Sequence, residues 1–360
     1  MSAGSLFQEF LIRERPQIDT AVMAALPHGE LPHGGLPHGQ DATATAHAGE
    51  KNDLSRYLFS PLDGFVARGG KRTRPALALL GAQASGGSDA CALTVAAAVE
   101  LFQSAALIHD DIADEGETRR GAACVHVEEG IGVALNVGDS ALVATFARLI
   151  RATEFAPDVR LRLLEELLSM EERTLEGQAL DLGWARDERW DISVDDYLYM
   201  ASHKTAYYSA ASPLAMGAIA AGATDAQVEA LRAFGMSAGL AFQIQDDLLN
   251  LVGDGAAQGK DWRSDITEGK RTLVVVQALE RLSGEKRQEL VALLASHTQD
   301  AGELADAVAI MDATGAVRDA RRYAHELIAQ AKRELMAAPL ARDAQETLCS
   351  MADFFVERNS

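Results

Sequence analysis

Leu107-Ile108-His109-Asp110-Asp111-Ile112-Ala113-Asp114-Glu115-Gly116-Glu117-Thr118-Arg119-Arg120-Gly121 is the stretch from which the rest of the chain can be read. The approach to it, from Ala92 to Leu107, is largely small and apolar; three aspartates follow, and then two adjacent arginines. On a helix Asp110 and Asp114 stand at i and i+4, so their carboxylates share one face a turn apart. Two like charges held that close repel unless a cation lies between them. Oxygen-only ligands favour a hard ion, and magnesium keeps several waters and binds through one or two carboxylates plus substrate phosphates. A solvated acidic helix end is the plainer reading of such a cluster. The apolar approach and the arginine pair favour the cation site.

The rest of the composition narrows the class. The chain has 360 residues, enough to bury a sizeable core, with 48% apolar and 24% charged residues as in ordinary globular proteins. A net charge of -20 argues against nucleic-acid binding, and an anionic substrate would need a local basic patch or a bridging metal. Cys91, Cys124 and Cys349 are far apart and fit neither zinc spacing nor a disulfide framework, so reduced thiols are expected. No unbroken run of 18 apolar residues and no basic-then-apolar leader occurs, which predicts a cytoplasmic protein that does not span a membrane.

Outward from the aspartates, the pattern is helical nearly everywhere after about Asn52. Apolar residues recur at three and four, as in Leu161, Leu163, Leu164, Leu167 and Leu168, and Ser193 with Asp196 forms a near capping box before Tyr197. Nothing alternates as strands do. One all-α domain over residues 51–360 is expected, preceded within residues 1–50 by a helix at 5–25 bearing Phe7, Phe10, Leu11 and Ile18 and by an insert. That insert repeats Leu-Pro-His-Gly at 26–29, 31–34 and 36–39; it reads as a flexible loop, with metal binding by His28, His33 and His38 as the sharper alternative.

Five further segments carry chemistry, each with a structural alternative. In Gly69-Gly70-Lys71-Arg72-Thr73-Arg74-Pro75, paired glycines let backbone approach a ligand, and Lys71 and Arg74 lie a turn apart; a helix cap is the alternative. Arg119-Arg120 offers guanidinium forks for phosphate oxygens, or an ion-pair network with the aspartates. His203-Lys204-Thr205 puts a cation beside a hydroxyl and is weak alone. Phe242-Gln243-Ile244-Gln245-Asp246-Asp247-Leu248-Leu249-Asn250 repeats the opening pattern, an apolar approach into paired aspartates. Gly259-Lys260 through Asp265 to Gly269-Lys270 is a basic loop suited to lie over a phosphate, or an exposed connection. Their conjunction points to a metal-bridged diphosphate site.

Taken together these residues resemble the trans-prenyltransferases, the polyprenyl diphosphate synthases, from about Gly69 to Phe354-Phe355-Val356-Glu357-Arg358. The resemblance implies the type I isoprenoid synthase fold, a single large all-α bundle around a central cavity, and usually a homodimer. It implies that Asp110 and Asp114 bind two magnesium ions, that Asp246 holds a third, and that Asp111, Asp247 and Asn250 support them. Arg119, Lys204, Thr205, Gln243, Lys260 and Lys270 would meet an allylic diphosphate, and Lys71, Arg74, Gln103 and Arg120 would hold isopentenyl diphosphate. Gln178 and Asp181 match a family segment near the cavity. Among these, Asp110, Asp114, Lys204, Asp246 and Lys260 would carry catalysis. One departure from the pattern is Asn250, where aspartate is commoner.

Product length is read from the helix below Asp110. Ala106 and Ala105, four and five residues back, leave room, and Phe102, eight residues or roughly 12 Å back, is the first large group. By resemblance this implies geranylgeranyl diphosphate, with a longer polyprenyl or a farnesyl product as the alternative. A terpene cyclase would lack Lys71, Arg74 and Arg120, and a silent regulatory subunit would have lost an aspartate cluster.

Overall fold

Small and branched apolar residues at helical spacing, punctuated by Gly and Pro, fold as helices throughout. The computed structural model describes residues 4–27, 53–253 and 262–357. Most of the Leu-Pro-His-Gly tract, with His28, His33 and His38, and the segment holding Lys260 lie outside these described residues.

In chain order the elements are α1 (Ser5–Ala25), a π-helical turn (Ser55–Phe59) leading into α2 (Ser60–Ala67), α3 (Thr73–Ala84) and α4 (Asp89–Ala113). A two-residue hairpin then pairs Thr118–Arg119 with Ala122–Ala123. There follow α5 (Val125–Glu129), α6 (Ile131–Ile150), α7 (Pro157–Arg186) and α8 (Val194–Ala201). α8 runs without a break through a π-helical stretch, Ser202–Ala211, into α9 (Ser212–Ala220). The remainder is α10 (Asp225–Val252), α11 (Ser264–Thr267), α12 (Leu273–Arg281), α13 (Gly284–Ala295), α14 (Ala301–Ala313), α15 (Ala316–Ala337) and α16 (Arg342–Glu357). The all-α expectation holds, with the hairpin as the one sheet among the described residues.

Local sequence explains the helix starts. Ser193 and Asp196 close a full capping box on α8, and Thr224 with Gln227 closes another on α10. α4 is the central rod: α1, α3, α6 and α9 pack around it, and Val95, Ala96, Ala97, Ala98, Val99 and Leu101 have no exposed surface. Alanine-rich faces bring the rods close. At Gly217 a Cβ would stand 1.9 Å from the Ala78 carbonyl oxygen, so α9 and α3 can touch backbone to backbone only without one.

Two observations concern the chain's apolar segments. By length and composition α4 and α6 are apolar enough to cross a membrane, although the sequence has no unbroken apolar run. In α4 that apolarity is consumed by the core, 72% of its most apolar window being buried, whereas for α6 the figure is 33%. α6 leaves Ile131, Leu135, Val143 and Ile150 exposed. The second concerns α1. It carries Pro16 inside a continuous helix, and its Phe7, Phe10, Ile18 and Val22 join the common core.

Candidate active site

Polar side chains that interrupt the apolar faces of α4, α7, α10 and the π-helical stretch meet in one cleft of three joined lobes. Asp110 lines two of them, Arg74 two, and Leu107 two, so the lobes share walls.

The first lobe is acidic. Asp110 from α4, Asp181 from α7, Asp246 and Asp247 from α10, and Asp265 from α11 face one space, together with Lys204, Thr205, Gln243, Asn250 and Lys270. The α7 Gln178 amide donates to Asp110 Oδ1 at 3.1 Å, and Lys204 donates its Nζ to Asp181. Gly177 makes that register possible, because a Cβ there would lie 2.1 Å from the Lys204 backbone nitrogen. A widened π-helical turn at Lys204 and Thr205 is a common device at functional sites.

Charge crowding marks the lobe. Asp114 lines none of the three lobes; desolvation, with the charge of Asp110 next, pushes it up to about 6. Burial also pushes Asp265 up to about 6, and the wholly buried Asp247 well above the carboxylate range. The donors are oxygens, and among the described residues no three Asp, Glu, His or Cys converge to hold an ion unaided. Carboxylates that resist ionising together, too few to enclose an ion, suit a hard divalent cation whose coordination substrate phosphates complete. A divalent metal fits this lobe. If Asp114 is one of its ligands the metal must displace a proton there, and divalent-metal affinity measured by calorimetry is then expected to fall about tenfold per unit as pH drops below about 6. The sign for stability is opposite to that of a salt-bridged aspartate: with the folded value raised, the metal-free protein gains stability as pH falls through 6.

Several residues expected at the metal serve otherwise. Asp111, one residue past Asp110 and so turned about 100° away, is buried and accepts a 2.5 Å bond from Arg119 Nε. Asp247 accepts from the Tyr197 hydroxyl at 2.9 Å and from Gln243 Nε2 at 2.7 Å, so Gln243 is held by an aspartate within the lobe. Asn250 is a latch: its side chain donates to Ser264 Oγ at 3.1 Å and accepts from the Asp265 N–H at 3.2 Å, which sets Asp265 in the lobe. An aspartate could accept from both partners. Asn250→Asp is therefore expected to leave turnover within a few-fold, and a hundredfold change in steady-state rate would contradict the latch. Lys270 pairs with Glu268 at 2.6 Å and Asp265 at 3.3 Å.

The second lobe is basic, and it answers the need for a local patch on an acidic chain. Lys71, Arg74, Gln103 and Arg120 line it as expected, and so does Arg119, which the sequence assigned to the other diphosphate. The hairpin after α4 folds back onto α4, so Arg119 is drawn to Asp111 on this side. Arg72 and Glu100, which the sequence reading passed over, are the lobe's scaffold. Arg72 adopts φ 52°, buries its guanidinium and binds both Glu100 and Asp19 of α1. Glu100 also lies 3.8 Å from Arg120. The detectable signal was a lone glutamate inside an apolar helix. Phe354 and Phe355 of α16 complete the wall.

The third lobe is an apolar cavity of about 330 Å³ descending from Asp110, within the volume of small-molecule sites. Ala106 lines it, but Ala105 is fully buried in the core, because one residue turns it off the cavity face. Phe102 lines its lower part and meets the Tyr208 ring edge-on at 5.7 Å between centroids. The floor is thus shared: Tyr208 stacks under Arg74 and accepts a 2.7 Å bond from it.

Comparisons with known proteins agree with this architecture. A family model described as polyprenyl synthetase matches residues 55–311. A short chain isoprenyl diphosphate synthase of Methanothermobacter thermautotrophicus is 40% identical over 295 residues, covering 81% of this chain and 88% of that protein. A geranylfarnesyl diphosphate synthase of Natronomonas pharaonis is 34% identical over 322 residues, covering 85% and 89%. Among solved structures, the geranylgeranyl pyrophosphate synthetase of Pyrococcus horikoshii superposes with a TM-score of 0.84 at 29% identity, over 98% of both chains.

Proposed function

The chain belongs to the polyprenyl synthetase family and is a prenyltransferase that elongates prenyl chains; from that premise we propose that it joins isopentenyl diphosphate head-to-tail to an allylic diphosphate, with magnesium as the metal and geranylgeranyl diphosphate as the product. The observation that carries this reading is the joining of an acidic, a basic and an apolar lobe at shared residues. Two diphosphates and one growing tail need that arrangement.

Asp110, Asp114 and Asp246 would hold the magnesium ions, three in number on this reading, with Asp265 as a further oxygen donor. When bound, magnesium neutralises the charge that develops on the departing diphosphate. Lys204 and Lys270 add fixed positive charge there, each held protonated by neighbouring carboxylates against the lowering effect of burial. Lys71, Arg74, Arg119 and Arg120 would hold the isopentenyl diphosphate, leaving its double bond toward the shared wall at Leu107 and Phe242. Phe242 and Tyr208 exclude water from the allylic cation. The departing diphosphate takes the proton released as the new double bond forms.

Incubation with magnesium, labelled isopentenyl diphosphate and each allylic primer, followed by sizing of the products, tests the proposal. Absence of incorporation with every primer would defeat it. Phe102→Ala is expected to lengthen the product by about one isoprene unit, because eight residues of helix, roughly 12 Å, separate Asp110 from this floor. Chromatographic sizing checks it, and unchanged lengths would leave Tyr208 as the floor.

A second surface supports assembly of two copies. α6 packs on α7 and leaves Ile131, Leu135, Val143 and Ile150 exposed, while α7 leaves Leu161, Leu168, Leu175 and Leu182 exposed, the last two also lining the apolar lobe. Two packed helices with such faces are an interface in want of a partner, and a homodimer would cover them. Light scattering on the eluting protein should return about twice the chain mass of 38.4 kDa.

A further inference from the structure

The apolar lobe holds one group that neither the metal site nor the tail reading uses. Glu171 of α7 lines it, and its Oε1 is buried with no hydrogen-bond partner. Its depth follows from the helices. α7 and α4 are tied at the cleft end by Gln178 and Asp110. Lower down the π-helical stretch meets both, Tyr207 reaching Glu166 and Arg173 of α7 and Tyr208 reaching Phe102 of α4, so both helices run from the cleft toward their N-termini. Glu171 lies seven residues below Gln178, about 10 Å, and Phe102 eight below Asp110, about 12 Å. Both side chains line the same cavity, so the carboxyl stands at the level of the aromatic floor.

We propose that Glu171 is a chain-length-determining residue, whose carboxyl closes the far end of the tail cavity and limits how far the prenyl chain can grow. This deepens the prenyl-elongation reading and rests on it. A hydrocarbon end reaching Glu171 must displace whatever solvates that carboxyl, which costs little when the group is neutral and far more when it is ionised. Burial is the single cause that pushes this group up to about 7. The groups facing it from neighbouring elements leave it without a charged partner. α4 offers His109 and Asp110 at the upper end, the former directed at Asp139 and Leu135 of α6, while Leu142 is α6's contribution to the wall. The π-helical stretch offers Lys204, engaged by Asp181, with Tyr208 bonded to Arg74 and Tyr207 bonded to Glu166. On α7 itself Arg173 lies over the Tyr207 ring.

The test is the product distribution of wild type, Glu171→Leu and Glu171→Gln, at about pH 6 and about pH 8.5, either side of the titration. Wild type is expected to make shorter products at the higher pH. Glu171→Leu should shift the distribution upward by about one isoprene unit and lose the pH dependence. Glu171→Gln should keep the low-pH lengths at both values, which separates charge from packing. Condensation with identical lengths in all three proteins at both pH values would overturn this inference alone. Absence of condensation by the wild-type protein would overturn the elongation reading and this inference with it.

Discussion

Asp110→Ala is expected to lower kcat/KM for condensation by about a thousandfold or more, roughly 4 kcal/mol of transition-state stabilisation. Asp110 lines both the acidic and the apolar lobe, so it stands where the tail meets the diphosphate. Its removal takes away a metal ligand from a lobe that has no spare three-ligand cluster among the described residues. The fold should survive, because Asp110 is only half-buried and accepts from the Gln178 amide rather than from a core group. A diagnostic accompanies the loss. The Asp110 charge is the second cause of the raised Asp114 value, after desolvation, so Asp114 should titrate lower in the variant. Steady-state kinetics and carboxyl NMR titration read the two effects separately. A loss under tenfold would show that Asp246 and Asp265 can organise the metals without the α4 face.

Glu100→Ala is expected to destabilise the protein by about 1–3 kcal/mol, because it takes one of two carboxylates from a buried guanidinium. The Arg72 and Glu100 side chains are 3% and 1% exposed, so neither can turn to water when its partner is lost. Arg72 would keep Asp19 and the Val66 carbonyl, whereas Arg120, 3.8 Å from Glu100 and already lowered mainly by burial, would lose its nearest carboxylate. Urea denaturation measures the stability term. A raised KM for isopentenyl diphosphate with a smaller change in kcat would report the slackened Arg120. Equal stability of variant and wild type would mean that water enters and solvates Arg72.

The positions read from the sequence were those whose meaning lies along one helix. Asp110, Asp246 and Asp247, and Lys204 beside Thr205 meet in one lobe, and their local spacing along a helix survives folding. Errors arose where one residue of helix rotation decides the outcome: Asp111 turns to Arg119 instead of to the cleft, and Ala105 turns into the core beside a cavity-lining Ala106. Arg119, expected at the allylic diphosphate, is drawn to Asp111 on the wall of the basic lobe by a hairpin two residues wide, a reversal that no hydrophobic period records. Glu100, Asp265 and Glu171 acquire their roles only from partners far along the chain. Lys260 lies outside the described residues, so its expected place over the diphosphate stays a proposal.

The contact between the first and last helices has a temporal consequence. The Phe7 N–H donates to Ser350 Oγ across 343 positions, and the Phe7 ring meets Phe354 and Phe355, the aromatic wall of the basic lobe. During synthesis α1 must therefore wait for α16, roughly 20–70 s at ordinary elongation speeds, with one apolar face uncovered. The catalytic pocket is sealed by a helix made long after both aspartate clusters. A nascent chain with both aspartate clusters in place still lacks a wall behind one of its two substrates until α16 follows.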